Sequence, residues 1–164
     1  LQRLSKAAAP VSGSDLAKDL GVSRQVIVQD VAILRAKGYR IMATPQGYLC
    51  PNREDTTQAV LAVKHQPQDT EDELNIMVDH GLKVIDVIVE HPLYGELRGC
   101  LVMNPRQDVK RFLKELTNDE ATLLSSLTNG VHLHTVEYTI QEDLESARQA
   151  LQARGFLAND EDNT

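Results

Sequence analysis

Tryptophan is absent from the chain, cysteine occurs twice, and no apolar run approaches the ~18 residues that a membrane-crossing helix requires. A helical membrane span is therefore not expected. Cys50 and Cys100 stand far apart with no C-x-x-C spacing. That excludes a disulfide framework and a cysteine-based zinc or redox motif, and both cysteines read as reduced, half-buried thiols. No secretory pattern follows Leu1, so a cytoplasmic protein with no membrane partner is expected. The contents of 41% hydrophobic, 25% charged and 4% aromatic residues are those of a globular protein, and 164 residues accommodate two small domains.

Positive charge is also scarce overall. The formal net charge of −7 argues at first against a polyanionic partner. Its distribution reverses that reading. Residues 1–53 carry eight Lys/Arg (Arg3, Lys6, Lys18, Arg24, Arg35, Lys37, Arg40, Arg53) against Asp15, Asp19 and Asp30, a balance of +5. Residues 54–164 balance to −12. Such a split suggests two bodies with different partners, the first of them polyanionic.

The first body carries a helix-turn-helix pattern. Residues 14–20 read as a short helix with Leu16, Ala17 and Leu20 on one face and Ser14 or Asp15 at its cap. Gly21 ends it, Val22 fills the turn, and Ser23 is placed to cap a second helix over 24–37 that Gly38 stops. Ala17, Gly21 and Ile27 supply a small residue at a close helix crossing, a glycine for a left-handed turn, and an apolar anchor. Ile27, Val31 and Leu34 form the buried stripe of the second helix, while Gln25, Gln29, Ala32 and Ala36 face away from it.

Glutamine can bond an adenine edge at two points, and arginine can read guanine or a phosphate. Ser23, Arg24, Gln25, Val28 and Gln29 are thus candidates to contact DNA in the major groove. Short strands over 40–44 and 47–50, joined at Pro45-Gln46, predict a β-hairpin wing with Arg40 and Gln46 near the phosphate backbone. The first helix of a winged domain is expected to be short, within 1–9. A domain boundary is expected at 51–57, giving a DNA-binding domain over 1–53 and a second domain over 58–158.

In the second domain the pattern predicts strand 58–64, helix 70–80, strands 83–90 and 97–103, helix 107–116, strand 131–138 and helix 142–154, with a last short strand at Phe156-Leu157. The order β-α-β-β-α-β predicts an α+β protein whose second domain is a ferredoxin-like sandwich. His132 and His134 stand two apart on one strand, so both imidazoles share a face. Side-by-side imidazoles have few reasons to share a face without a metal or an anion between them. His65 at the end of the first strand and Glu73 on the next helix can converge on the same face. Three imidazoles and a carboxylate suit zinc, nickel or another late first-row divalent ion. His80 reads as the cap of its helix.

The stretches His65-Gln-Pro-Gln-Asp-Thr-Glu-Asp-Glu-Leu74, Val78-Asp-His-Gly81, Val84-Ile-Asp-Val-Ile-Val-Glu-His-Pro-Leu-Tyr-Gly-Glu96, Leu124-Ser-Ser-Leu-Thr128 and Gly130-Val-His-Leu-His-Thr135 resemble the three-histidine (3H) domain. Joined to this helix-turn-helix, residues 12–158 resemble the niacin-responsive repressors of NAD-precursor uptake and synthesis. The resemblance implies one divalent metal ion per chain on His65, Glu73, His132 and His134, nicotinic acid as co-repressor, and a homodimer on a palindromic operator.

His91 and Tyr94, in the loop after the second strand, are candidates to bond and stack on a pyridine carboxylate. Arg98 is a candidate to clamp its carboxylate. Turn structure explains the same loop without a ligand. Beside ligand-controlled repression stand two other classes, a regulator that answers to the metal itself and a metal-dependent hydrolase. The hydrolase lacks an obvious general base.

Overall fold

A computed structural model of the protein describes residues 1–50 and 56–158, and most of the linker expected at 51–57 lies outside them. The chain divides into two units, Leu1–Glu54 and Asp55–Thr164. Among the described residues no helix is long and apolar enough to cross a membrane.

The first unit holds α1 (Gln2–Ser5), α2 (Gly13–Leu20), α3 (Arg24–Ala36), β1 (Met42–Thr44) and β2 (Gly47–Leu49). Gly21 adopts φ +65° after α2, as the turn requires. Ser23 caps α3 by accepting the Val26 N–H. The cap of α2 corrects the sequence reading. It is Ser12, not Ser14 or Asp15, whose hydroxyl accepts the Asp15 N–H at 3.0 Å, so the helix begins one residue early. Leu4, Leu16, Ala17, Ile27, Val31 and Ile41 form the core, with Val11, Leu34, Tyr48 and Cys50 packed on it. The wing is an antiparallel hairpin pairing Met42 with Leu49 and Thr44 with Gly47. Val11 adds a third rung, exchanging both main-chain hydrogen bonds with Tyr48 at 2.8 Å.

The second unit runs β3 (Thr57–Lys64), α4 (Thr70–Asp79), β4 (Lys83–His91), β5 (Gly95–Met103), α5 (Arg106–Asn118), β6 (Val131–Tyr138) and α6 (Gln141–Ala153), with 3₁₀ turns at Pro67–Asp69 and Leu124–Thr128. Its four strands form an antiparallel sheet in the order β3-β6-β4-β5. The short hairpin loop fixes only β4 beside β5, so element order alone leaves the lateral place of β6 open. The strand expected at 156–157 is reduced to one bridge between Leu157 and Val63.

Leu74, Met77 and Val78 of α4, Val109 of α5, and Leu144, Ala147 and Leu151 of α6 pack with Leu61, Val63, Val84, Leu101, Met103 and Val136 of the sheet in one core. The register of β3 against β6 places His132 opposite Val63 and His134 opposite Leu61. Opposed residues share a face, so both histidines lie on the side that carries this core.

Because Ser12 and not Ser14 satisfies the first turn of α2, Ser12→Ala is expected to cost about 0.5–2 kcal/mol of N-terminal domain stability. Ser14→Ala should cost far less. Chemical unfolding of the two variants checks the order, and equal losses would contradict the assigned cap.

Candidate metal centre and nucleic-acid interface

Strand period sets the pair in β6, and α4 completes the group. The 3₁₀ turn at Pro67–Asp69 reverses the chain after His65 and delivers Glu73 on the first turn of α4, with no exposed surface left on its side. His65 Nε2 lies 2.7 Å from Glu73 Oε2, and His132 Nε2 lies 3.2 Å from Glu73 Oε1. His134 Nε2 is 3.0 Å from the same Oε1, but poorly aligned with it, and this buried nitrogen has no hydrogen-bond partner among the described residues. Neighbouring rings stand edge to face, with centroids 4.9 Å apart for both His65–His132 and His132–His134. All four side chains are buried. His65, Glu73 and His132 by themselves present ligand atoms within 4.8 Å of one another.

The far side of each ring fixes its chemistry. Nδ1 of His65 meets the Gln66 carbonyl at 2.7 Å, Nδ1 of His132 the Gly130 carbonyl at 2.8 Å, and Nδ1 of His134 the Asp86 carbonyl at 2.6 Å. A carbonyl only accepts, so each Nδ1 carries a proton, and a ring that is neutral turns its Nε2 lone pair inward. Three lone pairs facing a carboxylate repel unless protons or a cation lie among them. A divalent ion fits this donor set, because its charge would offset that repulsion.

Burial is the largest single influence on His65 and His134, and it acts to lower their pKa. The charge of Glu73, its hydrogen bond to His65 and the carbonyls of Gln66 and Asp86 outweigh it and hold both above 6.5. Burial likewise acts to raise Glu73, yet the charge of His134 and the hydrogen bonds from His132 and His65 hold it well below 4.5.

Gly130 is the hinge of the site. Its φ is +90°, and a Cβ there would lie 2.1 Å from the His65 carbonyl oxygen. The bare backbone lets the Gly130 carbonyl reach both the His132 ring and the His65 N–H.

Of the three effector candidates, His91 and Tyr94 lie together and Arg98 stands apart. His91 Nδ1 accepts the N–H groups of Leu93 and Tyr94, so the imidazole holds the hairpin turn, and the Tyr94 ring lies beside it with centroids 5.0 Å apart. Arg98 stands opposite Ile88, and His91 opposite Gly95, which puts the two on opposite faces of the hairpin. The Arg98 guanidinium is already engaged with Asp86 at 2.5 Å. A cavity of about 560 Å³ instead opens beside His132, lined also by Ile88, Val89, Glu90, Glu96, Thr128 and Leu133. His80 caps its helix, Nδ1 donating to the Ile76 carbonyl.

In the first unit Arg24, Gln25, Val28 and Gln29 are exposed along α3, and so is Arg40. Ser23 spends its hydroxyl on the helix cap. Gln46, expected near the phosphate backbone, lies in the turn of the wing between β1 and β2. Its amide is buried without a hydrogen-bond partner and faces a cavity of about 360 Å³ shared with Ser12, Gly13, Ser14 and Arg24. Sequence reasoning missed Asp86 and Gly130, whose importance lies in carbonyl positions that residue type does not announce.

The raised histidines stabilise the metal-free fold fully below pH 6.5 and lose that contribution as pH climbs through their folded values. Glu73 contributes above pH 4.5 and loses its share as pH falls through its folded value. Unfolding of the chelator-treated protein is therefore expected to show greatest resistance between those limits. A resistance still growing on the alkaline side would contradict the described contacts.

Residues 58–160 match the 3H domain, and residues 1–49 match an HTH domain. The chain is 43% identical over 154 residues to the protein named probable transcription repressor NiaR of Thermotoga maritima, covering 94% of this chain and 88% of the relative. It is 40% identical over 161 residues to the transcription repressor NadR of Bacillus subtilis, covering 96% and 89%. A helix-turn-helix on a regulator of this kind binds DNA and calls for no enzymatic step. The chain thus belongs to the family of DNA-binding transcription repressors that join a helix-turn-helix to a 3H domain.

Proposed function

We propose that this repressor answers to nicotinic acid and controls genes of niacin uptake or NAD synthesis, with one zinc or nickel ion held by His65, Glu73, His132 and His134. The observation that carries this reading is the convergence of three Nε2 atoms on one buried carboxylate, each ring locked from behind by a main-chain carbonyl. When bound, the ion supplies the positive charge those lone pairs and the carboxylate lack. The residues themselves tie the end of β3, the start of α4 and β6 into one unit.

The niacin response is supported by the resemblance of the motifs, and its place by the cavity beside His132. Ile88, Val89 and Leu133 offer apolar contact to a pyridine ring there. Glu90 and Glu96 repel a carboxylate, so the anionic end is directed away from them. Arg98 is kept by Asp86 in this reading, and His91 and Tyr94 serve the turn.

On DNA, Gln25, Val28 and Gln29 read base edges while Arg24, Ser23, Arg40 and Gln46 fix the backbone. Arg24, Gln46 and the N-terminus of α2 share one cavity, and that combination suits a phosphate. A homodimer would present two such units to a palindromic operator about one helical turn between half-sites. The effector then acts by favouring one dimer geometry over others.

Gel shifts of operator DNA at fixed salt are expected to show tight binding with nicotinic acid and weak binding with nicotinamide or no addition. Binding that followed added metal and ignored nicotinic acid would replace this reading with a metal-responsive regulator. Gln25→Ala is expected to cost about 1–3 kcal/mol on the operator and little on random DNA. An equal loss on both would remove Gln25 from base reading.

A further inference from the structure

The main chain around Asp86 departs from regular sheet on both sides. Against β6, Val84 pairs with Val136 and Ile88 with Leu133, so β4 carries one extra residue. Against β5, Val84 pairs with Met103 and Asp86 with Cys100, so β5 carries one extra residue, and Val102 there has φ +53°. Such bulges leave main-chain groups without their ladder partners and re-aim what remains.

Two groups are affected, and Asp86 handles both. Its carbonyl accepts the Nδ1–H of His134 at 2.6 Å. Its carboxylate Oδ1 accepts the Thr135 N–H at 3.0 Å, the amide directly after His134. Oδ2 accepts from Arg98 at 2.5 Å, and Asp86 as a whole is 2% exposed. One residue thus supplies the acceptor that orients the ring and satisfies the amide the bulge would otherwise strand.

We propose that Asp86 is the positioning residue of the 3H-domain centre: its Oδ1, by accepting the Thr135 N–H, pins the bulged backbone so that the Asp86 carbonyl holds His134 with Nε2 turned to Glu73. This inference rests on the reading of the cluster as a metal site for its purpose, but not for its geometry. The carboxylate is hydrogen-bonded to Thr135 and Arg98. It acts through the Thr135 amide and the main chain, so an acceptor of the same shape should replace it.

The test uses the full chain, wild type, Asp86→Ala and Asp86→Asn, with two readouts. Side-chain NMR follows the Nδ1–H of His134, expected to be protected from exchange in wild type, lost in Asp86→Ala, and kept in Asp86→Asn because the amide oxygen still accepts from Thr135. Zinc titration is expected to show an affinity lowered about 10- to 100-fold in Asp86→Ala and near wild type in Asp86→Asn. An alanine variant with the His134 signal and zinc affinity intact overturns the proposal. If the alanine variant does not fold, the other two chains decide, because an unprotected Nδ1 in wild type or its loss in Asp86→Asn also overturns it. A wild-type chain that shows the protected Nδ1–H yet takes up neither zinc nor nickel supports the positioning role and rejects the metal.

Discussion

An ionised carboxylate in a dry interior costs several kcal/mol unless something of opposite charge meets it. Glu73 is such a group, and the second domain is arranged around its neutralisation. Three imidazoles approach it from the end of β3 and from β6, and none can offer a proton while neutral, because each spends its one N–H on a carbonyl behind it. The burial, the inward lone pairs and the orphaned Nε2 of His134 are therefore one constraint seen from several atoms.

That constraint reaches into the backbone. Gly130 must be bare so that β6 can begin against the His65 carbonyl, and β4 must bulge so that the Asp86 carbonyl can leave the ladder for His134. Both features would be defects in a sheet built for packing alone. Here they aim rings, and the rest of the core, from Leu61 and Val63 to Leu144 and Leu151, keeps ordinary apolar packing that holds them still. The first unit is built on a different logic. Its small core leaves the polar face of α3 to solvent and places Arg24 beside the start of α2.

Much of this is legible in the sequence because it depends on period. Residues two apart on a strand share a face, so His132 and His134 announce a site, and apolar spacing marks α3 and its Ser23 cap. Glu73 and His65 are legible as partners because the intervening turn is short. Other features depend on contacts between distant segments. The place of β6 between β3 and β4 is set by packing, and the bulge at Asp86 leaves no compositional mark. Residue type does not single out Ser12 as the cap, because Ser14 and Asp15 are equally good candidates. The inward turn of Gln46, and the use of His91 Nδ1 by its own loop, follow from tight turns whose side-chain directions residue identity does not state.

The most direct test of the central claim is anomalous X-ray diffraction from crystals of the full chain grown with zinc or nickel. One ion per chain is expected, bonded to Nε2 of His65, His132 and His134 and to the Glu73 carboxylate. Crystals with no anomalous signal among those four side chains, or with an ion held elsewhere, would contradict it.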